Sequence, residues 1–235
     1  MEANSAVFLS SQVAFIFRKP LLSPESLYSK LSAEMNGLFG DAPTINPVPF
    51  ISGDKELLDT PVVQAVSEDG KYQVNIARGR IDFYRHANLA ENNFADTKED
   101  FLEKVLNITD LTVSENTIQW MGFVVAYIYT NNDLNARAKK IINPDLMELN
   151  KGESNSFFSR NTNRINVGDI SSNNLVAIGS GSASKEKQDL VNGIMINQDF
   201  NTRPSENIID RVFVEKYIKD AESLVKIESV IEIIS

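Results

Sequence analysis

IQWMGFVVAYIY, residues 118–129, is the most hydrophobic stretch of the chain and decides its fold class. Its apolar side chains occur at both parities, with Ile118, Trp120, Val124 and Ile128 on one and Met121, Phe123, Val125 and Tyr127 on the other. Successive strand residues point to opposite faces, so the pattern predicts a strand at the centre of a sheet and buried on both sides. It is too short for a membrane-spanning helix, which needs about 20 residues.

Toward the N-terminus, alternating patterns and turn signals predict strands at Val13–Phe17, Pro61–Val66 and Lys71–Ala77, with an edge strand at Val48–Ile51. Turns are expected at Glu68-Asp-Gly70 and Arg78-Gly79. Ser23 and Pro24 are typical of a helix start, and Gly40 of its end. Thr97 and Asp100 predict a capping box at the start of a second helix.

Beyond residue 129, apolar islands predict strand segments at Phe157–Phe158, Arg164–Val167, Leu175–Ile178 and Leu190–Asn197. A polar loop is expected at Gly179–Gln188 and a short helix at Asp133–Ile142. Ser205 is a candidate cap for one long C-terminal helix, with apolar positions from Ile208 to Ile234.

Groups of strands separated by helices predict a single α+β domain over residues 1–235, with antiparallel meanders and the helices on one face of the sheet. The order of a helix followed by a meander occurs twice. This order suggests two similar halves, at residues 1–95 and 96–235.

Composition restricts the chemistry. The chain of 235 residues has a net charge of −9, no cysteine and a single histidine, His86. The acidic charge opposes nonspecific binding to nucleic acid or to anionic membranes. Without cysteine there are no thiolate metal sites and no disulfides, and we expect no cofactor. The first twelve residues lack the features of a signal peptide, so a cytoplasmic location is predicted.

The candidate ligand site is a row of polar residues at even spacing. Its members are Arg78, Arg80, Asp82, Tyr84 and His86. In an extended strand all five point to one face, where Arg78, Arg80, Tyr84 and His86 would bind an anion. The competing interpretation is a solvated strand face with cross-strand charge pairs. No nucleophile or partner base accompanies His86, so we assign no catalytic residue and no metal ligand.

Three further motifs have simpler explanations. Gly179-Ser-Gly-Ser-Ala-Ser-Lys185 lacks the spacing of a phosphate-binding loop, and Asp69-Gly-Lys71 is better explained by a hairpin turn than by a nuclease site. Arg137, Lys139 and Lys140 form a basic cluster at the expected C-terminal end of a short helix, where they would interact with its dipole.

Four segments together resemble a sporadically distributed family of uncharacterised bacterial proteins of about 250 residues, a similarity of fold pattern and not of a reaction. They are Val74–Arg85 (VNIARGRIDFYR), Ile118–Tyr129, Gly193–Asp199 (GIMINQD) and the terminal helix. Tyr84 departs from the pattern, because the family favours Trp there. The resemblance assigns no catalytic residue. The scattered occurrence of the family implies an accessory system such as phage defence.

These observations favour a non-catalytic cytoplasmic interaction or sensor protein over an enzyme. A metal-dependent hydrolase or nuclease with scattered carboxylates is one alternative. A nucleic-acid-binding protein is another, if Arg78, Arg80, Arg85, Arg137, Lys139 and Lys140 form one basic face. The C-terminal helix has more apolar residues than one narrow stripe requires, so we expect it to bind a partner protein or a second copy of the chain.

Overall fold

A computed structural model of the chain describes residues 6–40, 42–48, 55–88, 90–130, 158–183, 191–204 and 208–234. The first elements are β1 (Ala6–Phe17), α1 (Pro24–Glu34), β2 (Thr44–Ile45), α2 (Lys55–Asp59), β3 (Pro61–Val66), β4 (Tyr72–Ala77) and β5 (Arg80–His86). A 3₁₀ turn (Phe94–Asp96) then precedes α3 (Lys98–Glu115), β6 (Ile118–Tyr129), β7 (Phe158–Val167), β8 (Ile170–Ala183), β9 (Val191–Thr202), α4 (Arg211–Glu222) and α5 (Ile227–Ile234). The α+β class is confirmed.

The nine described strands form one antiparallel sheet in the order β2-β3-β4-β5-β1-β6-β9-β8-β7. Strand β6 has the bounds that its sequence predicts, and it lies in the interior of the sheet between β1 and β9. One of its faces is fully buried, with Met121, Phe123 and Val125 each at 0% exposure. On the other face Ile128 is buried, at 1% exposure, but Trp120 is only half-buried, so the expected burial on both sides holds for part of the strand.

The strand order contains the same arrangement twice. The meander β3-β4-β5 returns so that β5 pairs with β1, and the meander β7-β8-β9 returns so that β9 pairs with β6. Strands β1 and β6 pair with each other where the two arrangements meet. This repetition follows the order expected from the sequence, while the division between residues 95 and 96 stays a prediction.

The core lies between the sheet and helices α1, α3, α4 and α5. Phe101 of α3 stacks on Phe83 of β5, with ring centroids 6.0 Å apart, and also packs against Phe123 of β6. Tyr217 of α4 donates a hydrogen bond to Ser172 of β8 at 3.1 Å. These contacts all use the same sheet face, which we call the helix face. The opposite face is called the open face, since no described helix packs along it.

Helix α1 begins as its sequence predicts, because the Ser23 hydroxyl accepts a hydrogen bond from the Ser26 N–H. It ends at Glu34, earlier than expected from Gly40, because Asn36 and Gly37 adopt positive φ angles of 51° and 72°.

The capping box expected at Thr97 is wrong. The Thr97 hydroxyl donates to the Phe94 carbonyl, and Asp100 contacts the sheet. The reciprocal capping pair is instead Asn93 with Asp96, at the 3₁₀ turn.

The C-terminal apolar pattern forms two helices, not one, and α3 with its 18 residues is longer than either. The break lies at residues 223–226, where the buried Gln198 side chain donates to the Leu224 carbonyl and accepts from the Lys226 N–H. A helix break leaves backbone N–H and C=O groups without partners, and the Gln198 amide provides a partner for one group of each kind. Asp210 caps α4; the expected cap, Ser205, lies outside the described residues.

Several predicted strands are longer in the structure. Strand β1 starts at Ala6, β7 is continuous, and β8 continues through Ala183, so the first part of the loop expected at Gly179–Gln188 is strand. Gly181 lies opposite Gly193. Because neither residue has a side chain, Met195 packs closely over Gly181 and Ile128 packs closely over Gly193. The described edge strand is Thr44–Ile45, and residues 49–51 of the expected edge strand Val48–Ile51 lie outside the described residues. The expected helix at Asp133–Ile142 lies outside the described residues.

Candidate functional site on the open face

Strand alternation places four of the five predicted site residues on the open face. Arg80, Asp82, Tyr84 and His86 pair across β1 with Ile16, Ala14, Gln12 and Ser10. The next strand continues the row with Trp120, Gly122, Val124 and Ala126. Gln12, Arg80, Asp82, Tyr84 and His86 are called the β5 strip from here on.

Arg78 does not join the β5 strip. It lies in the turn before β5, and its guanidinium donates hydrogen bonds to the backbone carbonyls of Leu21 and Leu22, at 3.3 and 2.8 Å. The structure therefore brings together Arg80, Tyr84 and His86 of the predicted anion set and gives Arg78 a structural contact. Anion binding itself stays a prediction.

Hydrogen bonds hold the β5 strip in one arrangement. Arg80 donates from two nitrogens to both oxygens of Asp82, with Nε to Oδ2 at 2.8 Å. Gln12 donates from Nε2 to Asp82 Oδ1 at 2.8 Å and to the Tyr84 hydroxyl at 3.2 Å. The rings of Tyr84 and His86 stack with an interplanar angle of 2°. Since Asp82 already neutralises Arg80, an anion would compete with a formed ion pair.

The pKa values of Tyr84, His86 and Arg80 favour the neutral or paired forms of these side chains. Burial raises the pKa of Tyr84, and nearby Asp82 raises it further. Burial lowers the pKa of His86, which favours the neutral imidazole. Burial opposes the charge of Arg80, but its contacts with Asp82 outweigh burial and raise its pKa. At neutral pH the β5 strip therefore offers a neutral aromatic pair beside a bound charge pair.

Asp199 is a functional candidate that sequence reasoning missed. It lies on β9 opposite Val124 of β6, on the open face. Its Oδ1 atom is buried and has no hydrogen-bond partner among the described residues. The missing side chain of Gly122 leaves room for it, because an added Cβ would lie 3.6 Å from Asp199 Oδ1 and 2.7 Å from Asn201 Oδ1. The sequence feature that could have indicated Asp199 is a single carboxylate at the end of the strand pattern GIMINQD.

Burial raises the pKa of Asp199, against the opposing influence of the Asn201 side chain, Arg160 and Arg80. The folded state thus binds a proton at Asp199 more tightly than the unfolded chain does. Its stabilising contribution is largest below the ordinary pKa of an aspartate, and it is lost as the pH rises through the raised value.

Asp199→Asn is therefore expected to increase the free energy of unfolding at pH 7, with a gain that shrinks as the pH is lowered toward 4. Urea denaturation of the variant and of the wild type across this range measures the difference. Asp169→Asn is the matched control, because the Asp169 side chain is 93% exposed. A variant that is less stable than the wild type at every pH would contradict the assignment.

A second charged cluster lies on the helix face. Arg85 is 2% exposed, and it donates to Glu91 from both terminal nitrogens, at 2.9 and 2.5 Å. Its Nε donates to Asp100 of α3 at 2.6 Å, and the Tyr72 hydroxyl donates to the same carboxylate oxygen at 2.5 Å. Arg85 and Arg80 point to opposite faces of β5, so they do not share one basic surface. Arg137, Lys139 and Lys140 lie outside the described residues.

A cleft of about 230 Å³ lies between the 3₁₀ turn and α5, with Phe94, Tyr127 and Ile227 among its lining residues.

Within the described ranges, no group of three or more His, Cys, Asp or Glu residues has an arrangement that could hold a metal ion. None of the described helices is both long enough and apolar enough to span a membrane.

The sequence matches no protein-family model, and a search of curated proteins finds no significant match. The open face and its contacts therefore carry the functional argument.

Proposed function

We propose that this protein is a non-catalytic cytoplasmic interaction protein that binds a partner protein through the open face of its sheet. The observation that carries the proposal is the β5 strip, in which Arg80, Asp82, Gln12, Tyr84 and His86 fix one another on a surface where no described helix packs. Following the family resemblance, we place the partner in a bacterial accessory system such as phage defence.

The composition of the surface supports a protein partner. Tyr84, Trp120 and Arg80 are half-buried on the open face, and aromatic and arginine residues are enriched in protein–protein interfaces. Side chains that are already fixed lose little conformational entropy on binding. Amide groups of Gln64, Gln73 and Asn75 extend the surface beyond Tyr84 and add hydrogen-bonding groups to its rim.

The C-terminal helices are a second candidate surface. Tyr217, Ile218 and Ala221 of α4 are covered by the chain itself, at 0% exposure. Ile208 and Val212 are 78% and 73% exposed near the start of α4. Self-association or partner binding through this region stays a prediction. The open face is the stronger candidate, because its contacting groups are held by hydrogen bonds.

Tyr84→Ala is expected to weaken partner binding by about 30-fold or more, the effect of removing a central aromatic contact. The partner is captured with tagged wild-type protein and purified, and the dissociation constant is then measured by calorimetry. Tyr84→Phe keeps the ring that stacks on His86 and is expected to retain most of the affinity.

Val113→Ala is the control, since Val113 is 39% exposed on α3, away from the open face. Its affinity is expected to equal that of the wild type. A folded Tyr84→Ala protein that binds the captured partner with unchanged affinity would refute the open face as the binding surface.

A further inference from the structure

We propose that the outer edge of β7 binds an acidic, extended segment of a partner protein as an additional strand. The two edges of the sheet differ strongly. The strand at one edge, β2, has two residues, and Pro43 and Pro47 lie close to either side of it. The strand at the other edge, β7, has ten residues and contains no proline. Short strands and prolines protect a sheet edge from pairing, so β2 is protected in this way and β7 is not.

The register of the β7–β8 hairpin decides which backbone groups of β7 face outward. Val167 pairs with Ile170 across the two-residue turn Gly168-Asp169, and Gly168 has a φ angle of 56°. Residues that flank a two-residue turn exchange both hydrogen bonds, and the pairs alternate from there. The alternate residues Phe158, Arg160, Thr162, Arg164 and Asn166 therefore direct their N–H and C=O groups away from β8.

The outward edge is exposed over most of its length. Residues from Arg160 to Arg164 are all exposed, and Phe158 at the end of the strand is 72% exposed. The described strand order ends at β7, so no described strand pairs with this edge. Backbone groups in such a row form a template for a strand from another chain.

The charge of β7 favours an acidic partner segment over a second copy of β7. Strand β7 carries two positive charges, Arg160 and Arg164, and no acidic residue, within a chain whose net charge is −9. Two copies of β7 paired in their longest antiparallel register would set Phe158 opposite Asn166, and Arg160 opposite Arg164 twice. Like charges directly opposite each other on neighbouring strands are destabilising. A strand with two carboxylates four residues apart would instead place one opposite each arginine.

The proposal rests on the interaction role proposed above only in that the partner is a protein. It does not use the β5 strip, because β7 lies at the edge of the sheet and β5 on the far side of β1 and β6. Variants of the two surfaces therefore separate the two proposals.

The test uses the full-length protein and a labelled ten-residue peptide of alternating Thr and Val, with two Glu residues four positions apart. A matched peptide has Lys in place of both Glu residues. Fluorescence anisotropy is expected to show that the Glu peptide binds at least about tenfold more tightly than the Lys peptide, since two attractive cross-strand pairs replace two repulsive ones. Binding of the Glu peptide is expected to weaken as salt is added.

Two variants test the mode of binding. Thr162→Pro removes one outward N–H and leaves the hydrogen bonds to β8 in place, so it is expected to abolish peptide binding. Should this variant fail to fold, Arg160→Glu combined with Arg164→Glu is decisive, because it is expected to reverse the preference toward the Lys peptide. Tyr84→Ala, in the β5 strip, is expected to leave peptide binding unchanged.

Equal affinity for both peptides, or no binding of the Glu peptide at millimolar concentration, would overturn the proposal. A dimer in sedimentation that Thr162→Pro dissociates would also overturn it, since a second copy would then occupy the edge. Loss of Glu-peptide binding in a folded Tyr84→Ala protein would assign the peptide to the β5 strip.

Discussion

Arg85→Ala is expected to destabilise the protein by about 3 to 5 kcal/mol, the typical cost of removing one partner from a buried ion pair. Arg85 is 2% exposed and bridges β5, Glu91 and Asp100 of α3. Its removal leaves the Glu91 carboxylate, 12% exposed, with the Asn88 N–H as a remaining donor. Urea denaturation measures the loss.

Arg211→Ala is the matched control. Arg211 pairs with Asp110 at 2.5 Å, but both side chains are about half exposed. Exposed pairs of this kind contribute about 0 to 1 kcal/mol. Replacing Arg85, Glu91 and Asp100 together with apolar residues of similar size is expected to recover part of the stability, because the buried Arg85 charge is removed together with its partners. Recovery is incomplete, since Lys71, 3.4 Å from Asp100, and the Tyr72 hydroxyl each lose a partner. If Arg85→Ala and Arg211→Ala lower the free energy of unfolding equally, the ion pairs of Arg85 do not stabilise the fold more than an exposed pair does.

The same cluster determines how stability responds to acid. Burial opposes ionisation of Glu91 and of Asp100, but the Arg85 contacts and, at Asp100, the Tyr72 hydroxyl outweigh it and lower both pKa values. A lowered folded pKa contributes stability that is present above the ordinary carboxylate pKa and is lost as the pH falls through the folded value. The Arg85→Ala protein is accordingly expected to show a weaker dependence on pH in the acidic range than the wild type.

Phe123→Ala is expected to cost about 3 to 5 kcal/mol, as for other large aromatic side chains truncated in a core. Phe123 is at 0% exposure, and its ring contacts Phe94, Phe101 and Phe200, with the Phe94 centroid 5.2 Å away. The residue therefore joins β6 to the 3₁₀ turn, to α3 and to β9.

Trp120→Ala is the informative comparison, because Trp120 lies on the same strand and is half-buried on the open face. Its cost is expected to be clearly smaller than that of Phe123→Ala, since part of its surface stays in water in the folded state. The denaturant midpoints of the two variants show which one loses more stability, provided that the unfolding free energy depends equally steeply on denaturant concentration in both. A larger loss for Trp120→Ala would mean that the open face is packed more tightly than the helix face.

Local sequence determined most of the secondary structure. The apolar residues of β6, the Asp69-Gly70 turn and the Ser23-Pro24 helix start act over a few residues, and each produces the element that it predicts. Alternation along β5 likewise determined that Arg80, Asp82, Tyr84 and His86 share a face, because the period of a strand is fixed by its backbone. The α+β class follows from the order of these local signals.

Tertiary structure decided the remainder, since it depends on groups far apart in the chain. Gln198 supplies partners for the break between α4 and α5, which the apolar pattern alone joins into one helix. Asp100 was predicted to cap its own helix but instead accepts from Arg85 and Tyr72 on the sheet. Packing between distant segments determines which face of the sheet the helices cover. It therefore also determines the partial exposure of Trp120 and the burial of Asp199 Oδ1. A pattern of apolar and polar residues does not contain that information.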